Sequence, residues 1–185
     1  MSNAVSVLQG EVYAGLVRVA EAGLHGMITL KADLAQAAPA VKTVTGQDIP
    51  EARRIARGDI SVAWMAPDEV LILCDHGRAD ALVSELSEAL KGQHHLAVNV
   101  SDARAVFHLE GAACKDVLGK LTPADLGALA SGEVRRSRLA QVPAALWIEG
   151  DTATVICFRS VAQYAFDLLS NAAAPGGDVG YFTPR

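Results

Sequence analysis

The chain says nearly the same thing twice, and that repetition constrains its architecture more than any other feature. Trp64-Met65-Ala66-Pro67-Asp68 runs into Val70-Leu71-Ile72-Leu73-Cys74, and 83 residues later Trp147-Ile148-Glu149-Gly150-Asp151 runs into Thr154-Val155-Ile156-Cys157. At the same offset the helix-like stretch Arg78 to Leu90 falls on Val161 to Ala173, with Ala79 over Ala162 and Leu86 over Leu169. Units of this length exceed a solenoid repeat and suit a duplicated α+β module.

Within the first half, Gly26-Met27-Ile28-Thr29-Leu30 reads as a strand, and Asp33-Leu34-Ala35-Gln36 has capping-box spacing for a short helix ending at Pro39. Residues 60–64 and 70–74 flank Ala66-Pro67-Asp68-Glu69, which is β-hairpin turn chemistry. Ala79, Leu82, Val83, Leu86, Ala89 and Leu90 then mark one apolar helix face, stopped by Gly92. The second half repeats the order: a strand at 105–109, and a helix opening at Gly111 with Ala113, Val117, Leu118 and Leu121 inward. A hairpin follows at 144–148 and 154–158, then a helix behind Ser160-Val161-Ala162-Gln163, a second capping box. The expected fold is α+β: two pseudo-symmetric strand–helix–hairpin–helix units, each with a mostly antiparallel three-stranded sheet, packed as one compact domain. Trp64 and Trp147 would be related by a pseudo-twofold axis. Residues 1–25 form an N-terminal segment, 26–93 the first unit and 94–174 the second, joined through His94 to Ser101; 175–185 read as a flexible tail.

Composition narrows the function classes. Apolar residues at 51% and charged residues at 20% describe a globular chain, and aromatics at 5% leave the core to aliphatic side chains. A formal charge of −5, with no basic cluster beyond Arg135-Arg136-Ser137-Arg138, argues against nucleic acid as the partner. No run of eighteen apolar residues would span a membrane, and Met1-Ser2-Asn3-Ala4 does not open a secretory signal, so the cytoplasm is the expected compartment. Cys74, Cys114 and Cys157 lie far apart without a Cys-x-x-Cys and read as core thiols.

No catalytic constellation stands out. His94-His95 on an extended segment point to opposite faces and cannot readily chelate one ion. His108 alternates with Phe107 and Leu109 in a strand, and His25 and His76 sit beside glycines in turns. Asp68-Glu69 and Glu149/Asp151 are explained by hairpin-turn chemistry. There is no nucleophile elbow, dinucleotide fingerprint or phosphate loop. The chain is therefore expected to carry no catalytic residue, metal or cofactor of its own and to act through contacts. The candidate partner contacts are Arg135, Arg136 and Arg138 before the second hairpin, and Tyr181-Phe182 in the terminus.

Residues Asn99 to Gly111, followed by Val117-Leu118 and the Trp-centred hairpins, resemble the gamma subunits of heterotetrameric sarcosine oxidases. The similarity runs roughly from Gly26 to Asn171, and Trp-x-Ala-Pro-Asp-Glu is its most specific piece. More distantly, the same segment is similar to the folate-binding domain of the glycine-cleavage aminomethyltransferase. The resemblance implies a non-catalytic subunit of an assembly that converts sarcosine, tetrahydrofolate and oxygen to glycine, methylenetetrahydrofolate and hydrogen peroxide. FAD, FMN, NAD and tetrahydrofolate would then belong to alpha, beta and delta partner subunits; self-association of the isolated chain stays open. In the aminomethyltransferase a Gly-Gly turn leads through an apolar stretch to a folate-holding aspartate. Here Gln141-Val142-Pro143-Ala144-Ala145-Leu146-Trp147 has neither the glycines nor the carboxylate, although Glu149 is a carboxylate nearby. The alternative function is a free-standing folate-binding or one-carbon-transfer protein.

Overall fold

The computed structural model describes residues 4–182. The chain begins with two short strands, β1 (Val12–Ala14) and β2 (Arg18–Glu21). It continues through β3 (Gly26–Ala32), α1 (Leu34–Thr45), β4 (Ile55–Ala56), β5 (Ser61–Ala66), β6 (Glu69–Cys74), a 3-10 turn (His76–Arg78), α2 (Ala79–Ala89) and β7 (His95–Asn99). The same order then recurs as β8 (Arg104–Glu110), α3 (Cys114–Gly119), β9 (Arg135–Leu139), β10 (Val142–Glu149), β11 (Thr152–Phe158), a 3-10 turn (Arg159–Val161) and α4 (Ala162–Ala172).

Two compact units result, one from residues 24–102 and the other from the described residues on either side, 4–23 and 103–182. The first holds an antiparallel sheet in the order β4-β5-β6-β3-β7. Alternation along its strands sends Ile28, Leu30, Val70 and Ile72 to one face, where Ala37 and Val41 of α1 and Leu82 and Leu86 of α2 complete the core. The second unit holds an antiparallel sheet in the order β1-β2-β8-β11-β10-β9. Phe107, Leu109, Leu146 and Val155 face Val117 and Leu118 of α3 and Leu169 of α4, and the Phe107 and Phe166 rings meet at 6.3 Å.

The 83-residue offset carries the first residue of β6 onto that of β11, and it maps the 3-10 turn and all of α2 onto their counterparts. Register agrees: Leu30 faces Val70, and Leu109 faces Ala153 at the position equivalent to Val70.

Several expectations give way to what the chain does. The sheets of the two units have five and six strands, not three. Residues 95–99 are not a joint opening the second unit; they pair with β3 and close the first. The N-terminal segment is not separate, because β2 pairs with β8. Glu21 holds it in place, its buried carboxylate accepting from the Ser6 hydroxyl at 2.8 Å and the Gly10 N–H at 2.7 Å. α1 does not stop at Pro39 but runs to Thr45. Asp33 caps it as expected, and buried Val41 and Thr45 beyond the proline hold the later turns, while Ala35, whose carbonyl loses its bond, is exposed to water. Ser160 does not cap α4, since a 3-10 turn intervenes and no side chain caps that helix.

Candidate functional site

The residues with chemistry to offer are mostly engaged in holding the fold. Burial pushes the Cys114 and Cys157 thiols up to about 11 and raises Cys74 as well, so all three stay protonated at neutral pH. Among the described residues no group of His, Cys, Asp and Glu could hold a metal ion. His95 Nδ1 lies 2.9 Å from its neighbour Gln93's carbonyl, His94 is exposed, and His108 Nδ1 lies 3.3 Å from Thr154 Oγ1. At the hairpin turns, Glu69 pairs with Lys31 at 3.6 Å, and the Asp151 carbonyl accepts the Gly111 N–H at 2.8 Å. At the β9–β10 turn Ala140 takes a left-handed φ of +50° without being a glycine.

The five candidate contacts fall on two surface features. The first is β9, the outer strand of its sheet, which carries all three candidate arginines. Strand alternation exposes Arg136 and Arg138 on one side. Arg135 turns the other way, half-buried, and pairs with Glu133 at 3.0 Å, while the other Glu133 oxygen accepts the Ala130 N–H at 3.1 Å. Arg135 thus shapes its own loop.

The second feature is the C-terminal segment, which is not a detached tail as far as Phe182; residues 183–185 lie outside the described residues. The buried Asp116 on α3 accepts the Tyr181 N–H at 2.9 Å and the Phe182 N–H at 3.0 Å through one oxygen. Phe182 packs against the core of its unit over two glycines, where a Cβ at Gly119 would stand 3.3 Å from its ring and one at Gly127 3.6 Å. Lys120 Nζ donates to the Ala172 carbonyl at 2.7 Å and to the Gly177 carbonyl. Tyr181, edge-on to Phe182 at 4.8 Å, is left 79% exposed. A cavity of about 310 Å³ lies between segment and helix, but Asp116 and Lys120 on its wall already bind main chain, so it works as a packing seam. Sequence reasoning missed Asp116 and Lys120 because their partners lie 65 and 52 residues away. Of the five candidate contacts, Arg136, Arg138 and Tyr181 present themselves outward, while Arg135 and Phe182 serve the fold.

Comparison with known proteins fits this architecture. The family model described as sarcosine oxidase, gamma subunit family, matches residues 30–175. A sarcosine oxidase subunit gamma from an Arthrobacter species is 30% identical over 93% of this chain and 89% of the relative. One from Corynebacterium sp. (strain U-96) is 35% identical over 73% and 70%. Among solved structures, heterotetrameric sarcosine oxidase from Corynebacterium sp. U-96 superposes with a TM-score of 0.77 at 27% identity, covering 88% of this chain and 87% of that one. The glycine cleavage system aminomethyltransferase T from Bartonella henselae shares the fold at a TM-score of 0.62 and 12% identity, over 82% of this chain and 45% of that one. On the family match, the identities and the superposition together, the chain belongs to the sarcosine oxidase gamma subunit family.

Proposed function

We propose that this chain is the gamma subunit of a heterotetrameric sarcosine oxidase and serves that assembly through its surfaces, with no catalytic group of its own. The observation that carries the reading is the superposition on heterotetrameric sarcosine oxidase over 88% of the chain. The assembly converts sarcosine, tetrahydrofolate and oxygen to glycine, methylenetetrahydrofolate and hydrogen peroxide in the cytoplasm. FAD, FMN, NAD and the folate are held by its alpha, beta and delta subunits. The raised thiols and the engagement of Asp116, Lys120, Glu133 and Arg135 in internal contacts support a subunit whose polar groups are spent on shape. Arg136, Arg138 and Tyr181 are the side chains that meet partners, residue types that concentrate binding energy at interfaces.

Co-expression of the tagged chain with the other three subunits tests this. Recovery of all four polypeptides with bound flavin and sarcosine-dependent peroxide formation is expected; a chain that recovers none of them refutes the reading. Alanine at Arg136, Arg138 and Tyr181 together is expected to weaken assembly about tenfold or more. An unchanged yield would remove those three from the interface.

A further inference from the structure

We propose that the open edge of β7 receives an extended strand from another subunit of the oxidase, completing the first unit's sheet as β1 completes the second's. This rests on the subunit reading above. The two sheets have four edges, and three are blunted. β4 has two residues, β1 has three, and β9 carries three arginines. β7 has five residues, His95-Leu96-Ala97-Val98-Asn99, without a formally charged side chain at neutral pH or a proline. Leu96 is 53% exposed and Val98 39%. An unguarded apolar edge is a template for pairing with another chain.

The hydrogen-bond parity says how it would pair. Val100 donates its N–H to the Met27 carbonyl at 2.8 Å, and antiparallel bonding alternates, so residues 96 and 98 turn their main-chain groups toward β3. His95, Ala97 and Asn99 therefore turn theirs outward, and among the described residues no strand meets them. In the second unit Ala22 makes the same bond to Val106 at 2.9 Å, which turns Val17, Val19 and Glu21 outward. There β1 and its flanks take them, through Gly15 N–H to the Val17 carbonyl at 3.1 Å and Glu21 N–H to the Glu11 carbonyl at 2.9 Å. The chain thus contains a worked copy of the pairing that β7 lacks. Ala97 and Val19 are equivalent, facing Leu30 and Leu109 respectively. The incoming strand runs antiparallel, with aliphatic side chains flanking Leu96 and Val98 on the face they share with Thr29 and Lys31. An assembly with one copy of each of four subunits has no second copy of this chain to supply it, so the strand comes from another subunit.

Amide hydrogen exchange on the isolated chain and on the four-subunit complex reads this directly. The amides of 96 and 98 should be slow in both, whereas those of 95, 97 and 99 should be fast in the isolated chain and slow at least about 100-fold on assembly. Ala97→Pro removes an outward N–H without touching the β3 ladder, so it should leave the melting temperature unchanged and cut recovery of the other subunits at least about tenfold. Outward amides that stay fast in the complex, or an Ala97→Pro chain that assembles like the parent, would overturn the proposal. So would an isolated chain that sediments as a dimer and becomes a monomer on Ala97→Pro, because a second copy would then hold the edge. A parent chain that recovers no partner subunit at all refutes the subunit reading instead, whatever the variant does.

Discussion

Replacing Gly15 with alanine tests whether the N-terminal strands are an integral part of the second unit. A Cβ at this position would stand 2.1 Å from the main-chain oxygen of Ala173 and 2.8 Å from the Tyr13 ring. The tyrosine can swing aside, but the carbonyl sits at the end of α4 and cannot. Relief requires the β1–β2 turn to retreat by more than about 1.3 Å to reach ordinary contact distance. That same carbonyl accepts the Leu16 N–H at 2.7 Å, which satisfies one of the helix's terminal acceptors. Overpacking costs about 1–3 kcal/mol and the lost hydrogen bond about 1 kcal/mol, so the variant should lose roughly 2–4 kcal/mol. In a unit of about 100 residues that lowers the melting temperature by roughly 10–20 °C. Gly150→Ala serves as the control, since nothing lies within 4 Å of its Cβ and only its φ of +57° resists, at about 1 kcal/mol. Thermal melts followed by circular dichroism, with hydrogen exchange to localise the loss, make the measurement. The loss should fall on β2 and β8 and spare residues 24–102. A Gly15→Ala chain that melts within a degree or two of the parent would refute the claim that this turn is wedged against α4.

Further outcomes are expected from the same structure. Ala140→Gly should stabilise the second unit by about 0.5–1 kcal/mol in urea titrations, because relief of the left-handed φ of +50° outweighs the added freedom of the unfolded chain; a loss would mean that the turn is not strained. Burial raises Cys114 and Cys157 from 9.0 to about 11, so the unfolded chain sheds these protons first. Their contribution to stability is full below the unfolded value and falls as pH rises through 11, which a lower urea midpoint at about pH 10.5 than at pH 8 should report. Phe182→Ala should free the segment after Ala173, seen as faster proteolytic trimming with an unchanged melt of residues 24–102; equal trimming rates would show that the ring is not what docks it.

What the sequence made legible follows from how strongly each segment is patterned. The hairpins and the helices behind them combine apolar periodicity with turn chemistry, and both hairpins and both helices form where that chemistry puts them. The edge strands carry neither signal. β9 reads as polar because three of its five residues are arginine, and β7 reads as a joint because His94-His95 stand at its start and it pairs along one side only. β1 and β2 are too short for periodicity, and their pairing with β8 is set by tertiary context. Pro39 misled because local chemistry favours a stop, whereas the buried face beyond it outweighs one lost bond. Candidate contacts were chosen by residue type, which separates neither Arg135 from Arg136 nor Phe182 from Tyr181; the half-burial of Arg135 beside Glu133 and the packing of the Phe182 ring on the core do that.

The pairing of β2 with β8 also imposes an order on biosynthesis. Residues 24–102 are continuous and can close their sheet as soon as β7 leaves the ribosome, whereas Ala20 cannot meet His108 until that whole unit has been translated and β8 has followed it. β2 is therefore made before the intervening unit but docks after it, and until then its β8-facing edge has no partner while the β7 edge is open. A nascent chain that stalls near residue 102 holds β2 without β8 and an unguarded β7 edge, the two ingredients of misassembly. Fusions placed ahead of β1 should accordingly disturb the distant, late-folding unit while leaving the adjacent early one intact.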